Sequence, residues 1–300
     1  MYLPNKIYET TLIIAIIIIP FSMLFFSNVP TPYGKFYKKD IWGPDLDEKN
    51  AWSIMESTGL FMFLLFYFLL GKQRFNYVSL VFLSMWIFHY INRSIIYPHA
   101  IMKQKYKKFP LILVILGFLY LSMFTYLNAI NVSSNPKYTI SWFKTPTFII
   151  GVIIFFIGFI INVWSDCSLR NDNCKKEIVE NSENNKKISN NEENKFKMYE
   201  DGKFNFSKMF DNNIYYENNS KKHYHLPSGG LYNLISSPNY LGEIIEWFGW
   251  AIATWSLPGL LFALGAIGCI GVRAIHTHKW YEKNFENMPK NRKALIPFIL

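Results

Sequence analysis

The chain has 300 residues, 51% hydrophobic and 18% aromatic, with a mean hydropathy of +0.09. That composition argues against a soluble domain, since several apolar runs approach or exceed the ~18 residues of a membrane span. The net charge of +10 comes without a nucleic-acid motif and fits lysines gathered on cytoplasmic loops. The three cysteines form no C-x-x-C pair, which argues against a disulfide framework and a zinc site.

Leu12–Phe26 is the first apolar run. Lys6 precedes it, but no small-residue cleavage site follows, so it reads as a retained span and not as a signal peptide. Ile54–Leu70, Tyr77–Tyr97, Leu111–Ile130 and Phe148–Trp164 follow. Leu241–Trp255 and Leu257–Ile275 are separated by Pro258, which predicts a helical hairpin. The expected fold is therefore an all-α integral membrane bundle of seven transmembrane helices. Lysines and arginines concentrate in the first, third and fifth connections and in the tail. The positive-inside rule then puts those on the cytoplasmic side, with the N-terminus in the lumen and the C-terminus in the cytoplasm.

Residues 1–170 are expected to carry helices one to five. Residues 171–222 are rich in Asn, Lys and Glu, too polar to bury a core, and read as a disordered cytoplasmic insert. Residues 223–300 carry helices six and seven. The tripeptide at Asn131 matches a glycosylation sequon in an expected lumenal connection.

Ionisable residues inside spans are costly and are functional candidates by default. Glu56 stands near the start of the second span, where a helix-start acid is also the bland explanation. In the third span His89, Tyr90, Arg93 and Tyr97 cluster, with Tyr90, Arg93 and Tyr97 at i, i+3 and i+7 on one helical face. Asn162, Asp166 and Arg170 follow one another at i+4 in the fifth, where Asp166–Arg170 also suits an ordinary helical salt bridge. Asn239, Glu243 and Glu246 stand at i, i+4 and i+7 in "SSPNYLGEIIEWFGW", and Arg273, Thr277 and Tyr281 repeat at i+4 further on. Basic groups near the cytoplasmic edge suit phosphates, and acids and amides suit a ribose or a carboxamide. There is no G-x-G-x-x-G after a strand and no P-loop, and "GAIGCIG" at Gly265–Gly271 reads as close helix packing. The pattern alone implies a membrane enzyme or transporter with a polar cavity open to the cytoplasm.

The segments "PNYLGEIIEW", "ATWSLP" and "YEKNFENMPKNRKALIPF" resemble the C-terminal region of the steroid 5α-reductase family. "YGKFYKKDIWGP", "FHYINRSIIYP", "INVWSDCSLR" and "LPSGGLYNLISSPNY" resemble family segments in the same order, so the likeness covers nearly all of the chain outside the insert. The resemblance implies a seven-helix bundle in the endoplasmic reticulum membrane that encloses NADPH and a lipophilic enone drawn from the bilayer. Hydride passes from the nicotinamide to the enone β-carbon while a tyrosine hydrogen-bonds the carbonyl. By motif match that tyrosine is Tyr90 and its partner Glu56. Cofactor roles fall to Asn162, Asp166, Arg170, Asn239, Glu243, Arg273 and Tyr281, which puts the cofactor site on the 223–300 side of the cavity. Met55 and Arg93 are the substrate-side residues. Met55 stands where animal steroid reductases carry a glutamine, Thr277 replaces the middle histidine of three, and Asn173 replaces an arginine. Membrane lipids are the expected surroundings, with no nucleic acid and no obligate protein partner. Rival readings are a trans-2-enoyl-CoA reductase of fatty-acid elongation, a polyprenol reductase, and an S-adenosylmethionine-dependent membrane methyltransferase.

Overall fold

A computed structural model describes residues 6–38, 42–102, 108–183, 199–200, 203–204 and 226–300. Each of the seven apolar runs forms a helix: α1 Lys6–Asn28, α2 Glu48–Leu70, α3 Tyr77–Ile91, α4 Leu111–Ser134, α5 Pro146–Glu183, α6 Pro238–Thr254 and α7 Leu257–Ala266. A further helix, α8 (Val272–Asn284), continues α7 through a π-helical turn at Ile267–Gly271. Five stretches among the described residues are long and apolar enough to cross a membrane: Lys6–Asn28, Glu48–Leu70, Leu111–Ser134, Pro146–Leu169 and Leu257–Asn284. Their large aliphatic and aromatic side chains point outward, as in Ile17, Phe21, Leu69, Leu119 and Ile160, which suits a hydrocarbon surround.

The chain divides into two compact units. The first holds Met1–Ile160 with Gly242–Arg273, and the second Ile161–Leu241 with Ala274–Leu300. In the first unit α2 packs along α4. A short antiparallel ladder, β1 (Asp45–Asp47) against β2 (Lys108–Pro110), starts the two helices at the same end. Asp47 caps α2 by accepting from the Asn50 N–H at 3.1 Å. The core is aromatic: Trp86 packs on Phe63, Tyr90, Trp247, Trp250 and Phe262 with ring centroids 4.5–5.3 Å apart.

Helices α6 and α7 form the hairpin that Pro258 predicts. Trp255, at φ 43°, ends the first helix, and the Ser256 hydroxyl caps the second by accepting from Gly259 N–H at 3.1 Å. Asn128 of α4 ties the hairpin together, donating to the Phe124 and Pro258 carbonyls at 3.0 and 3.2 Å and accepting from Trp250 Nε1 at 2.9 Å. Asn128→Leu strands the Trp250 donor in an apolar core, so we expect a loss of about 1–3 kcal/mol, read as a lower Tm in detergent.

Three expectations need revision. Asn131 does not sit in an open connection: α4 runs on to Ser134, and the Asn131 amide is buried, donating to the Tyr138 hydroxyl at 3.0 Å. α5 continues to Glu183, so the first residues assigned to the insert are helical, and the structure also describes a pair of two-residue strands, β3 (Tyr199–Glu200) and β4 (Lys203–Phe204). The rest of the insert lies outside the described residues. The third run is not one α-helix either. From Asn92 to Ile101 it is π-helical. Pro98 has no N–H and would crowd the Ser94 carbonyl in an α-helix; the wider turn avoids this and closes with Met102 N–H on the Tyr97 carbonyl at 2.7 Å.

Candidate active site

In the first unit the polar residues of α2, the α3–π segment and α6 converge. Tyr90 is 2% exposed. Its ring lies directly against the backbone of α2 at Gly59, where a Cβ would come within 2.0 Å of a Tyr90 ring carbon. Only glycine leaves that space. The Gly59 carbonyl also accepts from Trp86 Nε1 at 2.8 Å, which pins α3 to α2 one turn before Tyr90. Glu56 stands one turn before Gly59, on the same side of α2. The Tyr90 hydroxyl makes no hydrogen bond to any described residue.

Arg93 is buried. Its Nη2 stands 3.6 Å from Glu243 Oε2, and its guanidinium lies over the rings of Trp52 and Tyr97 at 5.1 and 4.7 Å. A buried arginine needs such a partner, because in hydrocarbon its charge has no water. One turn earlier His89 Nδ1 and Glu246 Oε1 are hydrogen-bonded at 2.8 Å. Met55 packs against Gly117 of α4, within an aromatic cluster of Trp52, Phe109, Tyr33 and Tyr97. Arg273 holds the segment between α1 and α2: it donates to the Thr31 and Tyr33 carbonyls at 3.0 and 3.2 Å, and its guanidinium stacks on Tyr33 at 3.5 Å.

In the second unit three candidates meet. Asn162 Nδ2 donates to the Asn239 carbonyl at 2.9 Å, and Asn239 Nδ2 donates to Asp166 Oδ1 at 3.0 Å. Asn162 and Asp166 are both buried, and the Ser236 hydroxyl is hydrogen-bonded to His278 Nδ1 at 2.8 Å near the start of α6. Tyr281 packs on Trp280 and Phe285. For Arg170 the structure describes only the helical backbone.

Two features that matter here drew no role from the sequence. Gly59 is an ordinary glycine in an apolar run; its only signal is that it stands three residues after Glu56. Glu246 was grouped with Asn239 and Glu243 by spacing, but its partner His89 lies far away in sequence.

Several long apolar helices with acids, an arginine and a tyrosine turned inward fit a multi-pass membrane protein. The sequence profile of the 3-oxo-5-alpha-steroid 4-dehydrogenase family matches residues 107–209 and 206–300. A steroid 5-alpha-reductase of Solanum lycopersicum is 33% identical over 271 residues, 90% of this chain and 88% of that protein. The steroid 5-alpha-reductase of Arabidopsis thaliana is 33% identical over 275 residues, 89% and 87% of the two chains. The 3-oxo-5-alpha-steroid 4-dehydrogenase 1 of Rattus norvegicus is 30% identical over 283 residues, 93% and 90%. The chain belongs to the 3-oxo-5-alpha-steroid 4-dehydrogenase family, oxidoreductases that act on a CH–CH group.

Proposed function

We propose that this protein reduces the Δ4 double bond of a 3-oxo-steroid-like lipid with NADPH, as a seven-span protein of the endoplasmic reticulum membrane with its C-terminus in the cytoplasm. Family membership supports the reaction class. One structural observation supports the site: a buried tyrosine is packed without clearance on Gly59, one turn of α2 after Glu56, and its hydroxyl is unclaimed by described residues.

When bound, NADPH would supply the hydride that adds to the enone β-carbon. Residues with the right chemistry to hold it are present. Asn162, Asp166 and Asn239 offer the amide and carboxylate groups that suit ribose hydroxyls and a carboxamide, Glu243 adds a carboxylate, and Arg273 and Tyr281 a cation and a hydroxyl. The protein's own part is at the carbonyl. Negative charge grows on that oxygen as the β-carbon is reduced, and the Tyr90 hydroxyl donates a hydrogen bond to it. Glu56 orients that donor. The buried aromatic shell keeps water away, which strengthens the interaction. Arg93 and Met55 border the substrate, and the lipid enters from the bilayer.

The test is NADPH oxidation by the detergent-purified protein with progesterone or testosterone, and in parallel with a long-chain trans-2-enoyl-CoA. Turnover of the steroid is the expected result. Turnover of the enoyl-CoA alone would reassign the substrate while keeping the chemistry.

A further inference from the structure

We propose that Glu246 and His89 form a positioning pair for Tyr90: the carboxyl fixes the plane of the imidazole, and the imidazole, packed T-shaped against the tyrosine ring, holds that ring in place. The inference rests on Tyr90 being the group that engages the substrate carbonyl. Glu246 is 0% exposed and His89 2%, and they meet at 2.8 Å. A polar pair this deep carries a desolvation cost that two apolar side chains would not.

Adhesion between α3 and α6 does not require it. Trp86 already packs on Trp247 and Trp250 across that interface, and Phe155 and Phe262 close on Trp247. What a hydrogen bond adds to such packing is direction. Among the described residues the imidazole has two ring contacts, with Trp247 at 4.4 Å and with Tyr90 at 4.9 Å and 75°. Without its tether to Glu246 the ring is free to turn about its side-chain bonds, and the T-shaped contact with Tyr90 would be lost.

Glu246 is itself held for this purpose. Gly158 of α5 lets that helix close over it: a Cβ at Gly158 would meet the Glu246 backbone nitrogen at 2.2 Å. The second carboxyl oxygen, Oε2, is buried and has no hydrogen-bond partner among the described residues. His89 is thus the only described hydrogen-bond partner of the Glu246 carboxyl. The neighbouring Arg93–Glu243 pair, with Arg93 one turn after His89 and Glu243 one turn before Glu246, shares the register but engages another acid.

The experiment labels the protein with fluorotyrosine and identifies the Tyr90 signal by its loss in Tyr90→Phe. Glu246→Gln keeps an oxygen that can accept from the imidazole; we expect an unchanged Tyr90 signal and kcat within about threefold of wild type. Glu246→Leu should split or broaden the signal and lower kcat by about 100-fold with KM little changed. The double variant His89→Phe/Glu246→Leu removes both polar groups, so it should fold even if the single variant does not. It should restore thermal stability but neither the signal nor the rate. Recovery of rate and stability together would make the pair a mere staple and overturn the proposal, as would an undisturbed Tyr90 signal in Glu246→Leu or in the double variant. If wild type turns over no steroid, the functional reading fails, and the Tyr90 signal alone still decides the pair.

Discussion

Tyr90→Phe should lower kcat with a 3-oxo-Δ4 steroid by about 10²–10⁴-fold while leaving the fold intact. The ring of phenylalanine fills the same space. Gly59, Trp86, His89 and Trp247 still surround it, so its packing is preserved. The hydroxyl makes no hydrogen bond to a described residue, so its removal strands no partner there and Tm should hardly move. NADPH binding should also persist, since Tyr90 is not among the residues assigned to the cofactor. Steady-state kinetics and a thermal melt on the same preparation check both halves. A rate within a few-fold of wild type would remove Tyr90 from the chemistry.

Gly59→Ala should lower kcat by about 100-fold although it adds one methyl group to a residue with no chemistry of its own. The added Cβ would fall 2.0–2.4 Å from three ring atoms of Tyr90, far inside contact distance. The tyrosine cannot swing clear, because Trp86 lies 5.2 Å from it and His89 4.9 Å. Either Tyr90 leaves its position or α2 and α3 separate, and both displace the hydroxyl from where the proposed reaction needs it. The overpacking should also cost about 1–3 kcal/mol of stability. Gly117→Ala is the control on α4. Its Cβ meets the end of the Met55 side chain at 2.5 Å, and that flexible thioether can move aside. We therefore expect Gly117→Ala to leave kcat near wild type. Equal effects from the two substitutions would contradict the geometry.

The helices were legible because a membrane span must be long, apolar and internally hydrogen-bonded, so composition nearly determines it. Each of the seven runs became helical, five stretches among the described residues are long and apolar enough to cross a membrane, and Pro258 broke the chain where proline chemistry says it should. What periodicity could not give was where a helix changes type. The π-helical segment at Asn92–Ile101 keeps Arg93 over Tyr97, but its wider turn is invisible to a count of i+3 and i+4. The sequon at Asn131 misled because a tripeptide says nothing about burial. α4 simply runs past it.

At the site, residue types were readable and partners were not. Ionisable groups in apolar runs mark themselves as costly, which singled out Glu56, Tyr90, Arg93 and Glu243. Pairings such as Glu243 with Arg93 and Glu246 with His89 join distant parts of the chain, and one sequence holds no record of them. The role of Gly59 is a space left empty for another residue's ring, and that can be seen only once both helices are in place.

The most direct test of the account follows the two hydrogens. The protein is given a 3-oxo-Δ4 steroid and NADPH deuterated at both hydrogens of nicotinamide C4, and the saturated product is read by mass and NMR. The account predicts deuterium on the β-carbon of the former enone and a solvent-derived proton on the α-carbon, with product formation slowed by about 10²–10⁴-fold in Tyr90→Phe. Unlabelled product, deuterium on the α-carbon, or full turnover in Tyr90→Phe would contradict it.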